Sequence, residues 1–271
     1  MSRFATLTLT FMLIYFSAYA QDNNIKKQRP PLMHGYKLLW SDEFNKDGTP
    51  DPKIWTIEIG GHGWGNNELQ YYTDRKENAE VKNGHLVITA KKEDYQGSRF
   101  TSARLITKGK KDFTYGRVEI SAKLPDGKGT WPAIWMLGSN IDTTPWPDCG
   151  EIDIMEHVGF DMNRVHGSIH TKSYNHPAQT QKTANILVDD VAGKFHVYAV
   201  EWSPLCIDFY VDNQLYFSYQ PNEYTPSKWP FNNPCFIIFN LAIGGNWGGT
   251  VDESSFPKRM EIDYIRVYQP I

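Results

Sequence analysis

Three acidic side chains stand close together in the segment GEIDIME, which occupies residues 150–156 of the 271-residue chain. Successive side chains of a β-strand point to opposite faces, so Glu151 and Asp153 share one face and the two isoleucines share the other. Strict alternation would turn Glu156 into the core, where an unpaired carboxylate is costly. A one-residue β-bulge at residues 154–155 buries the methionine and returns Glu156 to the face of Glu151. The segment therefore predicts three carboxyl groups in a row on one surface.

Such a row suits the cleavage of a glycosidic bond. An enzyme that retains the anomeric configuration needs two carboxyl groups about 5–5.5 Å apart, one ionised as the nucleophile and one protonated as the acid. We assign Glu151 as the nucleophile and Glu156 as the acid and then the base. Asp153 helps to keep them in different protonation states, because its charge raises the proton affinity of a neighbour. The alternative is a solvated strand face with ordinary charges, but both flanks are apolar and no Lys or Arg lies nearby in the sequence.

Four segments resemble glycoside hydrolase family 16, and in particular its laminarinase branch. The acidic segment resembles the bulged form of the family signature, Glu-x-Asp-x-x-Glu. The other three follow in the expected order and read WGNNELQYY (64–72), TWPAIWMLG (130–138) and NLAIGGNW (240–247). The resemblance extends over about residues 39–268. It implies endo-hydrolysis of a β-1,3-glucan such as laminarin, by double displacement with retention and without an organic cofactor.

Two tryptophans are expected to bind the sugar. Trp131 and Trp135 lie four positions apart, so both indoles face one way on a strand, with a small alanine between them. The resemblance places the pair as a stacking platform on the non-reducing side of the cut; the alternative is that both rings pack in the core. Asn67 and Arg104 match family positions that hydrogen-bond glucose hydroxyls, with Asn66 as the alternative to Asn67.

Histidines follow the acidic segment closely. His166 and His170 are four positions apart and share a strand face. His170 matches a family histidine near the acid/base and is favoured over His166, with a structural role as the alternative for either. His157 follows Glu156 directly, so it should point to the opposite face and be structural. Trp247 is expected to line the far end of the cleft or to pack in the core.

The resemblance also implies one structural Ca²⁺ on the convex face, away from the cleft. The matching positions are Glu43, the backbone carbonyl of Gly84, and Asp263. All three would supply oxygen ligands, which a hard cation requires. The alternative is that both acids are ordinary surface residues.

The rest of the chain consists of short apolar runs separated by turns. The runs are rich in β-branched and aromatic residues and are mostly bounded by Gly, Pro, Asn or Asp. Examples are YKLLW (36–40), HLVITA (85–90), YGRVEISA (115–122), FHVYAV (195–200) and YIRVY (264–268). No stretch sustains a helical apolar stripe for three turns. Residues 34–271 are therefore predicted to form one catalytic domain, an all-β, two-sheet antiparallel jelly roll (a concanavalin-like sandwich) with an open concave cleft.

The first twenty residues have the features of an export signal. Arg3 precedes an apolar run, and the sequence AYA at residues 18–20 offers a small-x-small cleavage pattern. Residues 1–20 are therefore predicted to be a signal peptide and residues 21–33 a flexible leader, with a retained N-terminal anchor as the alternative. The protein is expected to be secreted, either periplasmic or extracellular, with no membrane span after signal removal.

The composition of the chain limits the classes of molecule that it is expected to bind. The formal net charge of −3, with both signs interspersed, argues against a nucleic-acid partner. Aromatic residues make up 14% of the chain, which is enough to supply exposed rings for a sugar to stack on. We therefore expect a polysaccharide partner, and a monomer by default.

Three cysteines, Cys149, Cys206 and Cys235, are far apart and lack metal-binding spacing. We expect buried thiols. The alternative is one disulfide, which an exported protein permits, but the sequence does not select a pair.

Two kinds of rival function stay open. Within the family, the substrate could instead be a mixed-linkage β-1,3-1,4-glucan or a red-algal galactan. From another class, the chain could be a non-catalytic β-glucan-binding protein on the same fold. Such relatives typically lack the catalytic glutamates, whereas Glu151, Asp153 and Glu156 are all present here, so an enzyme is favoured.

Overall fold

The computed structural model describes residues 35–271, and the predicted signal peptide and leader lie outside the described residues. Seventeen strands, one α-helical turn and one 3₁₀ turn form within this range. The strands are β1 (Tyr36–Asp42), β2 (Thr56–Glu58), β3 (Gln70–Tyr72), β4 (Ala79–Lys82), β5 (His85–Tyr95), β6 (Ser98–Ser102), β7 (Arg104–Ile106), β8 (Gly116–Lys123), β9 (Thr130–Gly138), β10 (Glu151–Glu156), β11 (Arg164–His170), β12 (Lys182–Leu187), β13 (His196–Trp202), β14 (Ile207–Val211), β15 (Gln214–Tyr219), β16 (Cys235–Ile243) and β17 (Lys258–Pro270). The α-helical turn is α1 (Gly245–Gly248), and the 3₁₀ turn is Glu253–Ser255. None of the helical segments in residues 35–271 is long and apolar enough to cross a membrane.

The strands build two sheets that pack face to face. The first has seven strands in the order β12-β11-β10-β9-β16-β7-β2. The second has ten, in the order β15-β14-β13-β8-β17-β5-β6-β3, with β1 beside β17 and β4 beside β5. The strands of both sheets pair in the antiparallel sense, apart from β3, which runs parallel to β6. The two-sheet antiparallel sandwich predicted from the sequence is confirmed.

The main core lies between the sheets. Fully buried side chains from both sheets form one large cluster, with Ile134, Ile152 and Phe239 from the seven-stranded sheet and Ile120 and Val200 from the ten-stranded sheet. Removing this apolar surface from water is the main favourable contribution to folding. It fixes which face of the seven-stranded sheet points inward, so the other face is left for a site.

A smaller apolar cluster lies on the outer face of the seven-stranded sheet. Leu137, Phe236 and Ile238 pack there with the buried thiol of Cys149, and Trp146 covers them. This cluster attaches the loop between β9 and β10 to the sheet.

The cysteines are free thiols, as expected. Cys149 and Cys235 are buried, whereas Cys206 is only partly buried, at a turn where its Sγ lies 3.4 Å from the Ser203 hydroxyl. The expectation that all three are buried was therefore wrong for Cys206.

The predicted bulge is present in β10. Opposite β9, Asp153 pairs with Trp135, but the next pair is Met155 with Ile134, so β10 holds one extra residue at this point. The side chains of Ile154 and Met155 are both fully buried. Glu156 thereby returns to the face that carries Glu151 and Asp153, and the predicted phase of the strand is confirmed.

Deleting Met155 tests whether the bulge or the sequence alternation places Glu156. Without it the strand reads EIDIE, in which plain alternation already puts all three carboxyl groups on one face. We expect the deletion variant to fold by circular dichroism and to keep part of its hydrolytic activity, at a lower rate because the local twist is lost. A folded deletion variant as inactive as Glu156→Gln would contradict this account.

Candidate active site

A cleft of ≈ 750 Å³ lies on the outer face of the seven-stranded sheet. Strands β7, β16, β9, β10, β11 and β12 all contribute side chains to it, so it runs across the sheet rather than along one strand. Glu151, Asp153 and Glu156 stand on β10 near the middle of this sheet.

Gly150 sets the start of the catalytic strand. Its φ of 83° lies in the left-handed region, and a Cβ there would come within 2.7 Å of the Pro230 ring. Only glycine meets both conditions without strain. From Glu151 onward the strand pairs with β9 on one side and β11 on the other, which holds its backbone on both edges.

The three carboxyl groups are brought together as the sequence predicted. His170 Nε2 lies 3.2 Å from Asp153 Oδ2 and 3.8 Å from Glu151 Oε1, so this histidine bridges the first two acids. Glu156 Oε1 accepts a hydrogen bond of 3.1 Å from the indole Nε1 of Trp131. The acids therefore have different neighbours, although they share one face.

Burial raises the pKa of all three carboxyl groups, because the charged form is poorly solvated there. The pKa of Glu156 rises to about 7 for this reason. Burial and then the charge of Asp153 raise the pKa of Glu151 to about 8. Burial and then the charge of Glu156 hold the pKa of Asp153 well above its usual range. The pKa values of Glu151 and Glu156 are similar, so the two glutamates differ more in their neighbours than in their acidities.

The two predicted tryptophans both line the cleft, but they do different things. Trp131 donates to Glu156 and packs edge-on against Trp247, with ring centroids 5.7 Å apart. Trp135 stands opposite Asp153 and donates its indole N–H to Asn240 Oδ1 at 2.7 Å. The Trp131 ring thus contacts the acidic row directly, and the Trp135 ring belongs to the cleft wall.

Arg104 lies in the same wall as Trp135. Its guanidinium carbon is 4.8 Å from the ring centroid of Trp135 and 4.8 Å from that of Trp64. Its Nε donates to Glu58 Oε2 at 2.5 Å. The cation is therefore held between two indole faces while its remaining N–H groups can point into the cleft.

At the paired asparagines, Asn66 lines the cleft and Asn67 is exposed beside it. Asn67 adopts a left-handed φ of 54°, and its Nδ2 donates to Asn246 Oδ1 at 2.7 Å. The backbone N–H of Asn246 in turn donates to the carbonyl of Asn66 at 2.8 Å. These contacts join two loops that are distant in sequence at one side of the cleft.

Comparison with known proteins adds to this geometry. Residues 66–266 match the model of glycosyl hydrolases family 16. The chain belongs to glycoside hydrolase family 16. The β-glucanase of Rhodothermus marinus is 51% identical over 244 residues, covering 86% of this chain and 85% of that protein.

Solved structures of the family share the fold. The laminarinase from Rhodothermus marinus has a TM-score of 0.85 at 50% identity and covers 87% of this chain and 98% of its own. SCLam, a non-specific endo-β-1,3(4)-glucanase, has a TM-score of 0.84 at 45% identity, with coverage of 90% and 95%. The jelly-roll fold expected for a family 16 hydrolase is confirmed.

The histidines of this family 16 hydrolase occupy distinct environments. His166 lies opposite Glu156 and packs edge-on against Trp247, with ring centroids 5.0 Å apart. His157 is fully buried, and burial lowers its pKa to about 4, as suits the structural role expected for it. Both His166 and Trp247 line the cleft, together with His170.

Several cleft residues were missed by the sequence analysis. Trp146 and His176 stand near His170, with ring centroids 6.0 Å and 5.4 Å from it. Both belong to loops, where no periodicity predicts which way a side chain points. Glu68 and Asn240 also line the cleft, and both lie inside segments that resemble the family, which was the one available signal.

Among residues 35–271, the geometry of one group of side chains could hold a metal ion. Glu151, Asp153 and His170 bring ligand atoms within 4.8 Å of one another, but the two carboxyl groups belong to the acidic row of the cleft. Of the predicted calcium positions, Asp263 lies on β17, Glu43 directly follows β1, and Gly84 lies in the turn before β5. Both β1 and β5 pair with β17 in the ten-stranded sheet.

The side chains at the predicted calcium positions already have partners. Both carboxylate oxygens of Glu43 accept hydrogen bonds of 2.9 Å from Arg266. Asp263 Oδ1 lies 3.5 Å from His85 Nε2. The carboxylates are oxygen donors, as Ca²⁺ requires, and an ion would share Glu43 with the guanidinium.

The raised pKa of Glu156 predicts that the catalytic row costs stability as pH rises. Glu156 titrates near 7 in the folded protein but has an ordinary value of 4.5, so its neutral form favours folding below pH 4.5 and this advantage disappears as pH rises through 7. Glu156→Gln cannot ionise. Between pH 4 and pH 8 the variant should gain up to about 3 kcal/mol of unfolding free energy relative to the parent.

Urea unfolding at pH 4, 6 and 8 would measure this difference. The matched control is Glu77→Gln, which neutralises an exposed acid. If the difference in unfolding free energy between the Glu156 variant and the parent is the same at all three pH values, burial does not raise the pKa of this carboxyl group.

Proposed function

We propose that this protein is an endo-β-1,3-glucanase that hydrolyses laminarin-like glucan with retention of the anomeric configuration. The observation that carries the proposal is the row of half-buried Glu151, buried Asp153 and half-buried Glu156 on the floor of a cleft walled by indole rings. Relatives named β-glucanase and laminarinase, at 51% and 50% identity, support the choice of substrate.

In the first step, protonated Glu156 gives its proton to the glycosidic oxygen while ionised Glu151 attacks the anomeric carbon. The bond from that carbon to the leaving oxygen breaks, and a covalent glycosyl ester forms on Glu151. A single proton shared between Glu151 and Asp153 leaves one of the two ionised. The reactive state has that proton on Asp153, which then donates a hydrogen bond to Glu151.

In the second step, Glu156 is a carboxylate and acts as the base. It takes a proton from a water molecule, whose oxygen attacks the anomeric carbon and releases Glu151. Two inversions at one carbon restore the β-configuration. The Trp131 N–H stabilises the charge that Glu156 carries between the steps.

A substrate panel tests the function. We expect laminarin to give a ladder of short oligosaccharides at early times, because a cleft across the sheet admits internal bonds. Curdlan, barley glucan, agarose and porphyran serve as comparison substrates. Glucose as the only early product would contradict endo cleavage, and binding to laminarin without turnover would favour the glucan-binding alternative.

Mixed-linkage β-1,3-1,4-glucan is the second candidate substrate. The similarity to SCLam, a non-specific endo-β-1,3(4)-glucanase, favours it. Comparable kcat/KM values on barley glucan and laminarin would make this protein equally non-specific.

Variants of the catalytic row test the assigned roles. Glu151→Gln and Glu156→Gln should each lower kcat at least a thousandfold while remaining folded, because each removes a group that bonds to the reacting atoms. Asp153→Asn should lower it less, since it acts through Glu151. NMR of the first product should show the β-anomer; an α-anomer would falsify the retaining mechanism.

We also propose that one Ca²⁺ binds at Glu43, the Gly84 carbonyl and Asp263. A chelator should then lower the melting temperature while activity at low temperature persists, because the ion stabilises only the folded state. Asp263→Asn should melt at the same temperature with chelator and with Ca²⁺. Identical melting curves for the parent, after metal analysis shows that the ion has been removed, would contradict the site.

We also propose that the protein is secreted and that it is a monomer. The export features of residues 1–20 support secretion. N-terminal sequencing of the exported protein should begin at Gln21, and light scattering should give the mass of one chain.

A further inference from the structure

A chain of hydrogen bonds links side chains that line the cleft to buried side chains beside them. Trp135 Nε1 donates to Asn240 Oδ1 at 2.7 Å, and Asn240 Nδ2 donates to the Tyr72 hydroxyl oxygen at 3.1 Å. The Tyr72 hydroxyl donates to Glu68 Oε2 at 3.0 Å. Gln70 Nε2 also donates to Glu68 Oε2, at 2.6 Å. The chain thus connects β9, β16 and β3 and ends on a carboxylate.

The direction of this chain is fixed by its first member. An indole nitrogen can only donate, so the Asn240 amide must turn its oxygen to Trp135 and its NH₂ group to Tyr72. Tyr72 then accepts one hydrogen bond and must send its own proton onward. Only an acceptor can end the chain, and Glu68 supplies that acceptor.

Burial makes each link costly to lose. Tyr72 and Gln70 are fully buried, and Asn240 is 6% exposed. Water therefore cannot replace a missing partner easily, and an unpaired polar group there carries its full desolvation cost. Gln70 is itself fixed, because its Oε1 accepts a hydrogen bond of 2.7 Å from the backbone of Ile243.

The free end of the chain is a surface of the cleft. The N–H of Trp135 lies in the plane of its indole, so holding it fixes the rotation of the ring. That ring lies against Arg104, whose guanidinium also lies against Trp64. Orienting one indole therefore orients the whole stack of Trp64, Arg104 and Trp135.

We propose that Glu68 is a positioning residue that sets the affinity of the cleft for its glucan chain. It anchors the hydrogen-bond chain through Tyr72 and Asn240, and the chain holds Trp135 and Arg104 in the orientation that binds sugar. This inference rests on the proposed function as a β-glucan hydrolase. Glu68 acts on binding and leaves bond cleavage by the carboxylates of β10 unaffected.

Four variants test the proposal with laminarihexaose as the probe. Tyr72→Phe and Glu68→Leu remove a link, so the Kd and the KM should rise about tenfold while kcat stays within about twofold. Glu68→Gln keeps an acceptor oxygen, so its Kd, KM and kcat should each stay within about twofold of the parent values. Tyr71→Phe is the matched control, because it removes the same atom one position away, from a ring that packs on Tyr95.

A double-mutant cycle tests the connection between the two ends. Trp135→Phe removes the N–H at the cleft surface that donates to Asn240, and it keeps Tyr72 and Glu68 in place. Trp135→Phe should raise the Kd by about the same factor as Tyr72→Phe. The double variant should have the same Kd as either single variant, because both substitutions break the same chain. Where Tyr72→Phe fails to fold by circular dichroism, Glu68→Leu takes its place in the cycle, because it removes the acceptor at the same end of the chain.

The outcomes separate the inference from the function on which it rests. A parent protein that neither binds nor cleaves laminarihexaose overturns the proposed function. A parent that does both, with Tyr72→Phe and Trp135→Phe binding as well as Tyr71→Phe, overturns the positioning role. A fall in kcat at constant KM, or fully additive effects on Kd, also overturns it.

Discussion

Three carboxyl groups stand side by side on β10, with Asp153 buried and the two glutamates half-buried, and each of them resists ionisation in that place. The sheet holds them there because β10 is paired on both edges and because its other face, with Ile152 and Ile154, belongs to the core. Separating the acids would expose apolar surface and break the strand pairing. Folding free energy therefore maintains an arrangement of charges that would disperse in a flexible loop.

Three of the indoles that line the cleft around this row direct their N–H groups at acceptors. Trp131 donates to Glu156, Trp135 to Asn240, and Trp64 to the carbonyl of Gly60 at 3.1 Å. A ring held by its N–H presents a fixed face. A rigid pyranose stacks better on a fixed ring face than on a mobile ring face. The wall can therefore select a sugar by shape above the row of carboxyl groups.

The alternation of acidic and apolar residues was sufficient to predict the strand, its bulge and the shared face of Glu151 and Glu156. These features depend on neighbours along one strand. The link from Glu68 to Trp135 depends on residues of three separate segments, and no local pattern encodes it. The choice between Asn66 and Asn67 came from the family resemblance alone; Asn66 lines the cleft, whereas Asn67, with its left-handed φ, is exposed beside it. Cys206 lies in a turn, where local apolarity does not determine burial.

The contact between the two loops at the side of the cleft has a consequence for recombination between related genes. Asn67 bonds to Asn246, the carbonyl of Asn66 receives the N–H of Asn246, and the N–H of Leu69 donates to the carbonyl of Ile243. Each loop supplies the backbone partners of the other, although about 180 positions separate them. A recombination event with one crossover between them would unite loops of different parentage. Chimaeras that exchange both together would keep the match, so the pair behaves as one module split across the gene.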